Sequence, residues 1–340
     1  MNEETDPKTQ SPAVDRHLLT FYTRTPIHVG SGATVEVVDL PVARERTTGF
    51  PIIPGSGLKG GLLQRAREFW AAQTTTPGEL PVAAKVLFGS EDTEEIPVAG
   101  AQPLKKAAPY AGCAQIMEAK LLAFPVRSLA GCFAWLTCPT ALHRFQRDTG
   151  IEFEVPVPIK DHVVAGSDLL VIGKDTNGAE YRRAVLEEYA LMADMEVKPP
   201  EGKATPFAQV VAALKKTCND KLWQDQLAGR LAVLHDENFQ HYVTSCTEVA
   251  QRIKLCPSTR TVERGGLFTQ ENVPCEALFY SVITLWNSRR PAGSPKPPGE
   301  LLAELLPNQP PLVMQFGGDE TTGHGVCEVL RQTLPFSTQA

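Results

Sequence analysis

Residues 27–67 read IHVGSGATVEVVDLPVARERTTGFPIIPGSGLKGGLLQRAR, and no other stretch constrains the chain as tightly. Two glycine clusters, Gly30-Ser31-Gly32 and Gly55-Ser56-Gly57, bracket the acid Asp39 and a basic pair, Arg44 and Arg46, with Glu36 and Glu45 in the same interval. Glycine has no Cβ, so such clusters suit places where backbone turns tightly or lies against another group. Behind the second cluster, Leu58, Leu62, Leu63, Ala66 and Trp70 recur at helical spacing. That predicts a helix over 58–72, with Lys59 at its start. Backbone N–H groups at a helix start favour an anion, typically a phosphate. A carboxylate among such elements is a candidate for chemistry at a phosphodiester. The plainer reading is a strand–turn–helix joint whose glycines serve the turns. The run 55–60 fails the Walker-type phosphate-loop pattern, whose Gly-Lys pair is followed by Ser or Thr, since Lys59 is followed by Gly60, so a Walker-type NTPase is not expected.

A counterpart lies near the other end, MQFGGDETTGHG over residues 314–325, with four glycines between Gly317 and Gly325. It follows the apolar run 311–316 and reads as a strand entering a loop. Backbone amides of such a loop can contact a ligand, and a plain glycine-rich turn needs the same residues.

The chain has 340 residues and a formal net charge of −6, which argues against nucleic-acid binding driven by overall charge. Local charge differs: residues 40–70 hold Arg44, Arg46, Lys59, Arg65 and Arg67 against Glu45 and Glu68. Phosphate contacts depend on such patches. No run of about 18 apolar residues appears, so no membrane helix is expected. The polar start MNEETDPKTQSPAVDR lacks the apolar core of a signal peptide; it reads as a flexible lead-in over 1–16, and the protein as cytoplasmic. The eight cysteines form no C-x-x-C pair and the seven histidines no H-E-x-x-H motif. The cysteines read as reduced, mostly buried apolar groups. Any metal is expected to be a transient divalent ion held by oxygen.

Further along, strands are expected over 17–28, 35–40, 113–125, 132–139 and 275–286, and helices over 139–148, 204–216, 220–234 and 300–306. Asn177-Gly178 marks a hairpin turn. Arg127 stands in a turn as a surface charge, an RNA contact or a subunit contact. Residues 252–270 read as a hairpin turning at 256–259, with Arg252, Lys254, Arg260 and Arg264 against Glu263. Such a basic hairpin can lie along nucleic acid, although a solvated surface ribbon is the commoner case.

Taken together, these pieces resemble the repeated backbone subunit of the type III-B (Cmr) CRISPR effector complex, in the RAMP superfamily. The resemblance rests on His28-Val29-Gly30-Ser31-Gly32, Val38-Asp39-Leu40-Pro41, Arg44-Glu45-Arg46, 50–60, 121–128 with 133–139, Arg252 with Gly266-Leu267-Phe268, and 317–325. It runs from about residue 17 to about 330. The type III-A backbone subunit shares the aspartate motif and the glycine turn, and the run LPVARER favours III-B. Glu118 departs from the aspartate expected in its strand.

The resemblance implies an α+β fold: a modified RNA-recognition (ferredoxin-like) palm with helical finger insertions near 60–110 and 186–240 and a β-hairpin thumb near 252–270, as one domain over 17–340. It implies a filament of identical copies along guide RNA, with other Cmr subunits, cutting complementary single-stranded target RNA at regular intervals. Asp39 takes the place of the catalytic aspartate and is expected to act as a general base or as the ligand of a divalent cation, Mg²⁺ or Mn²⁺. His28 and Glu271 are weaker catalytic candidates. Arg44, Arg46, Ser56, Gly57, Lys59, Arg127, Arg252, Lys254, Gly317 and Gly318 are the expected RNA contacts. Two other functions fit the residues: a scaffold that holds guide RNA without cutting, and a stand-alone guide-processing nuclease. The second would need another histidine beside His28.

Overall fold

The strand Asp15–Thr23 runs through the middle of the molecule because both of its faces are apolar. Leu19 and Phe21 point into one core, and Leu18 and Tyr22 into the other. The computed structural model describes residues 15–32, 38–74, 79–90, 93–98, 101–194 and 202–335. Among them lie a large mixed sheet and seven α-helices.

Along the sheet the order is Leu170–Lys174, Glu180–Leu186, Tyr189–Ala193, His162–Ala165, Leu231–Leu234, Phe133–Thr137, Ala119–Arg127, Leu278–Leu285, Asp15–Thr23, Val326–Leu334 and Leu312–Gln315. Along this path two pairings are parallel, His162–Ala165 with Tyr189–Ala193 and Leu231–Leu234 with Phe133–Thr137. Helices cover both faces. Leu58, Leu62 and Ala66 of helix Gly55–Phe69 join the core of Leu19 and Phe21. On the other face Leu142, Phe145, Trp223 and Leu227 pack with Leu18 and Tyr22.

Most expected elements form, but the strand expected over 17–28 ends at Thr23, that over 113–125 is split into Ala114–Ile116 and Ala119–Arg127, and three further differences bear on the site or the sheet. The Gly55 cluster is the opening turn of its helix, whose first residue follows Pro54. The helix expected over 220–234 stops at Arg230, and Leu231–Leu234 becomes a buried central strand. Four consecutive apolar residues carry neither period, so burial between two neighbours decides their form. Arg127 ends the strand Ala119–Arg127 instead of occupying a turn. Residues 35–37 of the strand expected over 35–40 lie outside the described residues, as do 1–14 of the lead-in expected over 1–16. All eight cysteines are free, with Cys113, Cys138, Cys218 and Cys327 buried.

The sequence also yields a two-stranded hairpin that stands apart from the large sheet, Glu248–Leu255 paired antiparallel with Val262–Asn272. Its second strand leads directly into the central strand Leu278–Leu285. The ribbon is therefore rooted in the core while its far end is solvated.

Candidate active site

The site is organised by the outer edge of Val262–Asn272. One edge of this strand pairs with its hairpin partner. The other receives two segments from the N-terminal part of the chain. Ile27 exchanges backbone hydrogen bonds with Val273, at 2.9 Å in each direction. Leu40 N–H donates to the Thr269 carbonyl, and Glu271 N–H donates to the Leu40 carbonyl, both at 3.0 Å. His28 and Asp39 are thereby fixed on one rail, against residues 271 and 269. Two residues of extended chain separate those anchors, about 7 Å.

Asp39 is exposed at this edge. Its Oδ2 accepts the Thr269 N–H at 2.8 Å and the Thr269 hydroxyl at 2.9 Å. In return, the Asp39 N–H donates to the Thr269 hydroxyl oxygen at 3.0 Å. Oδ1 has no partner among the described residues. The backbone and hydroxyl hydrogen bonds from Thr269 hold the Asp39 carboxyl below the usual carboxylate range. The group is thus ionised, oriented and open on one side.

His28 is half-buried, and its Nδ1 donates to the Glu271 carbonyl at 2.7 Å. Its own carbonyl accepts Gly318 N–H at 2.9 Å. An added Cβ on Gly317, whose φ is +83°, would lie 2.2 Å from that same carbonyl oxygen. The close approach that Gly317 and Gly318 permit is therefore made to the protein's own chain, and it locks the glycine loop onto His28. Both glycines also remain exposed at the surface.

Glu271 and Arg44 are also occupied by the fold. Glu271 is 6% exposed. Its Oε2 accepts Val42 N–H at 2.9 Å, and its Oε1 accepts the Thr247 hydroxyl at 2.7 Å and pairs with the Arg44 guanidinium. Arg44 also donates to the carbonyls of Gly49 and Val243, each at 2.8 Å. This carboxylate has no open side for chemistry, and this guanidinium is committed to three protein acceptors. Sequence spacing could not reveal a pairing across 227 residues.

The remaining basic candidates separate by engagement. Arg46 and Lys59 are exposed and have no partner among the described residues. Ser56 and Gly57 are exposed in the first helical turn, which carries no acid and no side-chain cap. Arg127 pairs with Glu187 at 2.8 Å and Lys254 with Glu263 at 2.8 Å, both on the surface. Arg252 donates to His324 Nε2 at 3.0 Å and lies 3.8 Å from Asp319. Gln270 reaches Asp319 Oδ2 at 2.5 Å. These contacts brace the hairpin's other face against the glycine loop. Thr269, His324 and Asp319 carry no sequence signal for such roles, since their partners lie far along the chain.

The hairpin also exposes aliphatic side chains, with Val249, Ile253 and Leu267 on the face that carries Gln251, Thr269 and Glu271. Val249, Ile253, Leu255, Val262 and Leu267 are each more than half exposed. Among the described residues no group of three or more His, Cys, Asp or Glu side chains is gathered to hold a metal. A single open carboxylate oxygen at Asp39 suits a hard ion whose other ligands come from phosphate and water. No described helix is long and apolar enough to cross a membrane.

Against known proteins, the RAMP superfamily matches residues 20–328. The chain is 34% identical over 318 residues to the CRISPR system Cmr endoribonuclease Cmr4 of Pyrococcus furiosus, covering 92% of this chain and 94% of that one. It is 23% identical to the CRISPR system CMR subunit Cmr4 of Saccharolobus solfataricus, covering 90% and 92%. Among solved structures it is similar to oligomeric Cmr4 from Pyrococcus furiosus, with TM-score 0.63, 27% identity and coverage of 95% and 99%. A chain of the type III-B Cmr-beta complex bound to cognate target RNA shares the fold, with TM-score 0.64 at 18% identity over 94% and 98%.

Proposed function

This chain belongs to the RAMP superfamily, and from that premise we propose that it is the repeated backbone subunit of a type III-B (Cmr) CRISPR ribonucleoprotein. It binds guide RNA along a filament of its own copies, together with other Cmr subunits, and cuts complementary target RNA. Near full-length likeness to an endoribonuclease supports the activity, and likeness to an oligomeric relative supports the filament. The observation that carries the reading is Asp39: an exposed carboxylate, fixed through one oxygen and open at the other, beside a projecting hairpin.

In finer terms, the central sheet serves as the palm, the insertions near 60–110 and 186–240 as fingers, and the hairpin as the thumb. Guide phosphates lie against the open start of helix Gly55–Phe69, where Ser56, Gly57 and Lys59 face solvent, and against Arg46. These contacts read backbone and not bases, so guide sequence does not matter. The thumb's exposed aliphatic face suits stacked bases better than phosphates. It would part the guide–target duplex and splay a target nucleotide toward Asp39.

RNA supplies its own nucleophile. The splayed 2′-hydroxyl lines up with the adjacent phosphorus, its oxygen bonds to phosphorus, and the bond to the 5′-oxygen breaks. The 2′ proton is lost, and the departing 5′-oxygen gains one. The products are a cyclic 2′,3′-phosphate and a 5′-hydroxyl. Orientation alone can supply several kcal/mol of such a barrier, about 7–11 in favourable cases. Asp39 Oδ1 would take the proton or hold a divalent cation, and His28, on the same strand edge, would give a proton to the departing 5′-oxygen. A cation bound there would offset phosphate charge.

The test is the assembled particle with guide and labelled complementary RNA. Regularly spaced cuts with cyclic-phosphate ends, stopped by excess EDTA, are the expected result. A particle that holds guide and target yet leaves the target whole makes the chain a scaffold. Cutting in excess chelator removes the metal from the account.

A further inference from the structure

We propose that Thr269 is a positioning residue for cleavage: its hydroxyl clamps one oxygen of Asp39 and so ties the cutting carboxylate to the hairpin strand. The inference rests on the catalytic reading of Asp39 and adds a residue to it.

The geometry singles out the hydroxyl. Three ties join residues 39–40 to the strand edge through backbone groups of residues 269 and 271: Thr269 N–H to Asp39 Oδ2, Leu40 N–H to the Thr269 carbonyl, and Glu271 N–H to the Leu40 carbonyl. These would survive loss of the side chain. The hydroxyl does something they do not. It donates to Oδ2 at 2.9 Å while accepting the Asp39 N–H at 3.0 Å, so it bridges the backbone and the carboxylate of one residue. That bridge fixes the rotation of the carboxyl group about its side-chain bonds. With two donors on Oδ2, the unshared lone pairs of Oδ1 face away from the strand, toward solvent.

A free aspartate at an exposed loop samples several rotamers, and freezing one of them is how a single carboxylate gains a defined direction. The clamp also has mechanical meaning. Thr269 sits between the solvated hairpin end and the root at Val273, so a shift of the strand carries Asp39 with it. Gln251 stands across from it, and beyond that pair lie Leu267 on its own strand and Ile253 opposite Leu267, both more than half exposed. Contact of the hairpin with nucleic acid and direction of the carboxylate are thus joined at one residue.

The experiment uses the assembled particle with three variants: Thr269→Val, Thr269→Ser and Asp39→Asn. Valine keeps the shape and the backbone N–H but loses the hydroxyl; serine keeps the hydroxyl. Single-turnover cleavage is read at saturating target, alongside guide and target binding and cut positions. Thr269→Val is expected to slow cleavage by about ten- to a hundredfold, the scale of one hydrogen bond to a charged group or a misplaced reacting group. Binding and cut positions stay as in the wild type, and Thr269→Ser recovers most of the rate. Wild-type cleavage by Thr269→Val, with Asp39→Asn inactive, overturns the clamp and leaves the catalytic reading intact. An equal loss in Thr269→Ser and Thr269→Val also overturns it, because the hydroxyl then does not matter. Full cleavage by Asp39→Asn removes the premise instead.

Discussion

Two carboxylates meet one face of the hairpin's second strand, two residues apart, and their surroundings could hardly differ more. Asp39 arrives from a loop, hangs on Thr269 by one oxygen and is exposed. Glu271 belongs to the strand itself, is buried, and is saturated by Arg44, Val42 and Thr247. Chemistry at a phosphodiester needs an ionised oxygen that a substrate can reach, and only the first acid offers one. The second holds together the segments that place the first: Arg44, five residues past Asp39, is drawn to the root of the hairpin by Glu271. One carboxylate works by what it leaves open, the other by what it closes.

The contrast breaks most severely if Glu271 proves dispensable. Glu271→Ala strands the Arg44 guanidinium, half-hidden behind the loop. Removing one partner of a buried pair costs about 3–5 kcal/mol, and equilibrium unfolding of the isolated chain should register a loss on that scale. A variant as stable as wild type would mean that the two acids differ less than their surroundings suggest. Next in size is the hairpin. Deleting residues 256–260 from its end should leave guide binding largely intact and strongly reduce cleavage in the assembled particle. Cutting at unchanged rate and spacing would move the duplex-parting element elsewhere. The smallest effects sharpen the division between engaged and open cations. Lys59→Ala and Arg46→Ala should each weaken guide binding by about 1 kcal/mol, uniformly across guide sequences and with a shallower salt dependence. An effect limited to particular bases would show that these residues read sequence.

The sequence made the open half of this contrast legible. Asp39 lay between two glycine clusters, Lys59 opened a periodic helix, and the hairpin announced itself by two strand-like arms around Cys256-Pro257-Ser258-Thr259. Local pattern suffices for features that face solvent. The closed half was hidden, because its content is pairing across the chain. Glu271 and Arg44 both drew functional readings from the residues around them, and their mutual attachment had no place in those readings. The glycine loop hid a contact in the same way: Gly317 and Gly318 show that something comes close, not that His28 is among what does. Leu231–Leu234 was unreadable for a different reason. A wholly buried run has no polar side to mark its period, so only its neighbours in the sheet could set it.

The central claim is that Asp39 acts on RNA and does not hold the fold. Its most direct test is Asp39→Asn in the assembled particle, with target cleavage and target binding measured on the same preparation. Asparagine keeps the shape and can still accept from Thr269, but lacks the charge. The account predicts cleavage slowed about a hundredfold or more, the scale of a lost acid–base group, with guide and target binding close to wild type. Binding that falls in step with cleavage, or cleavage that persists, would contradict it.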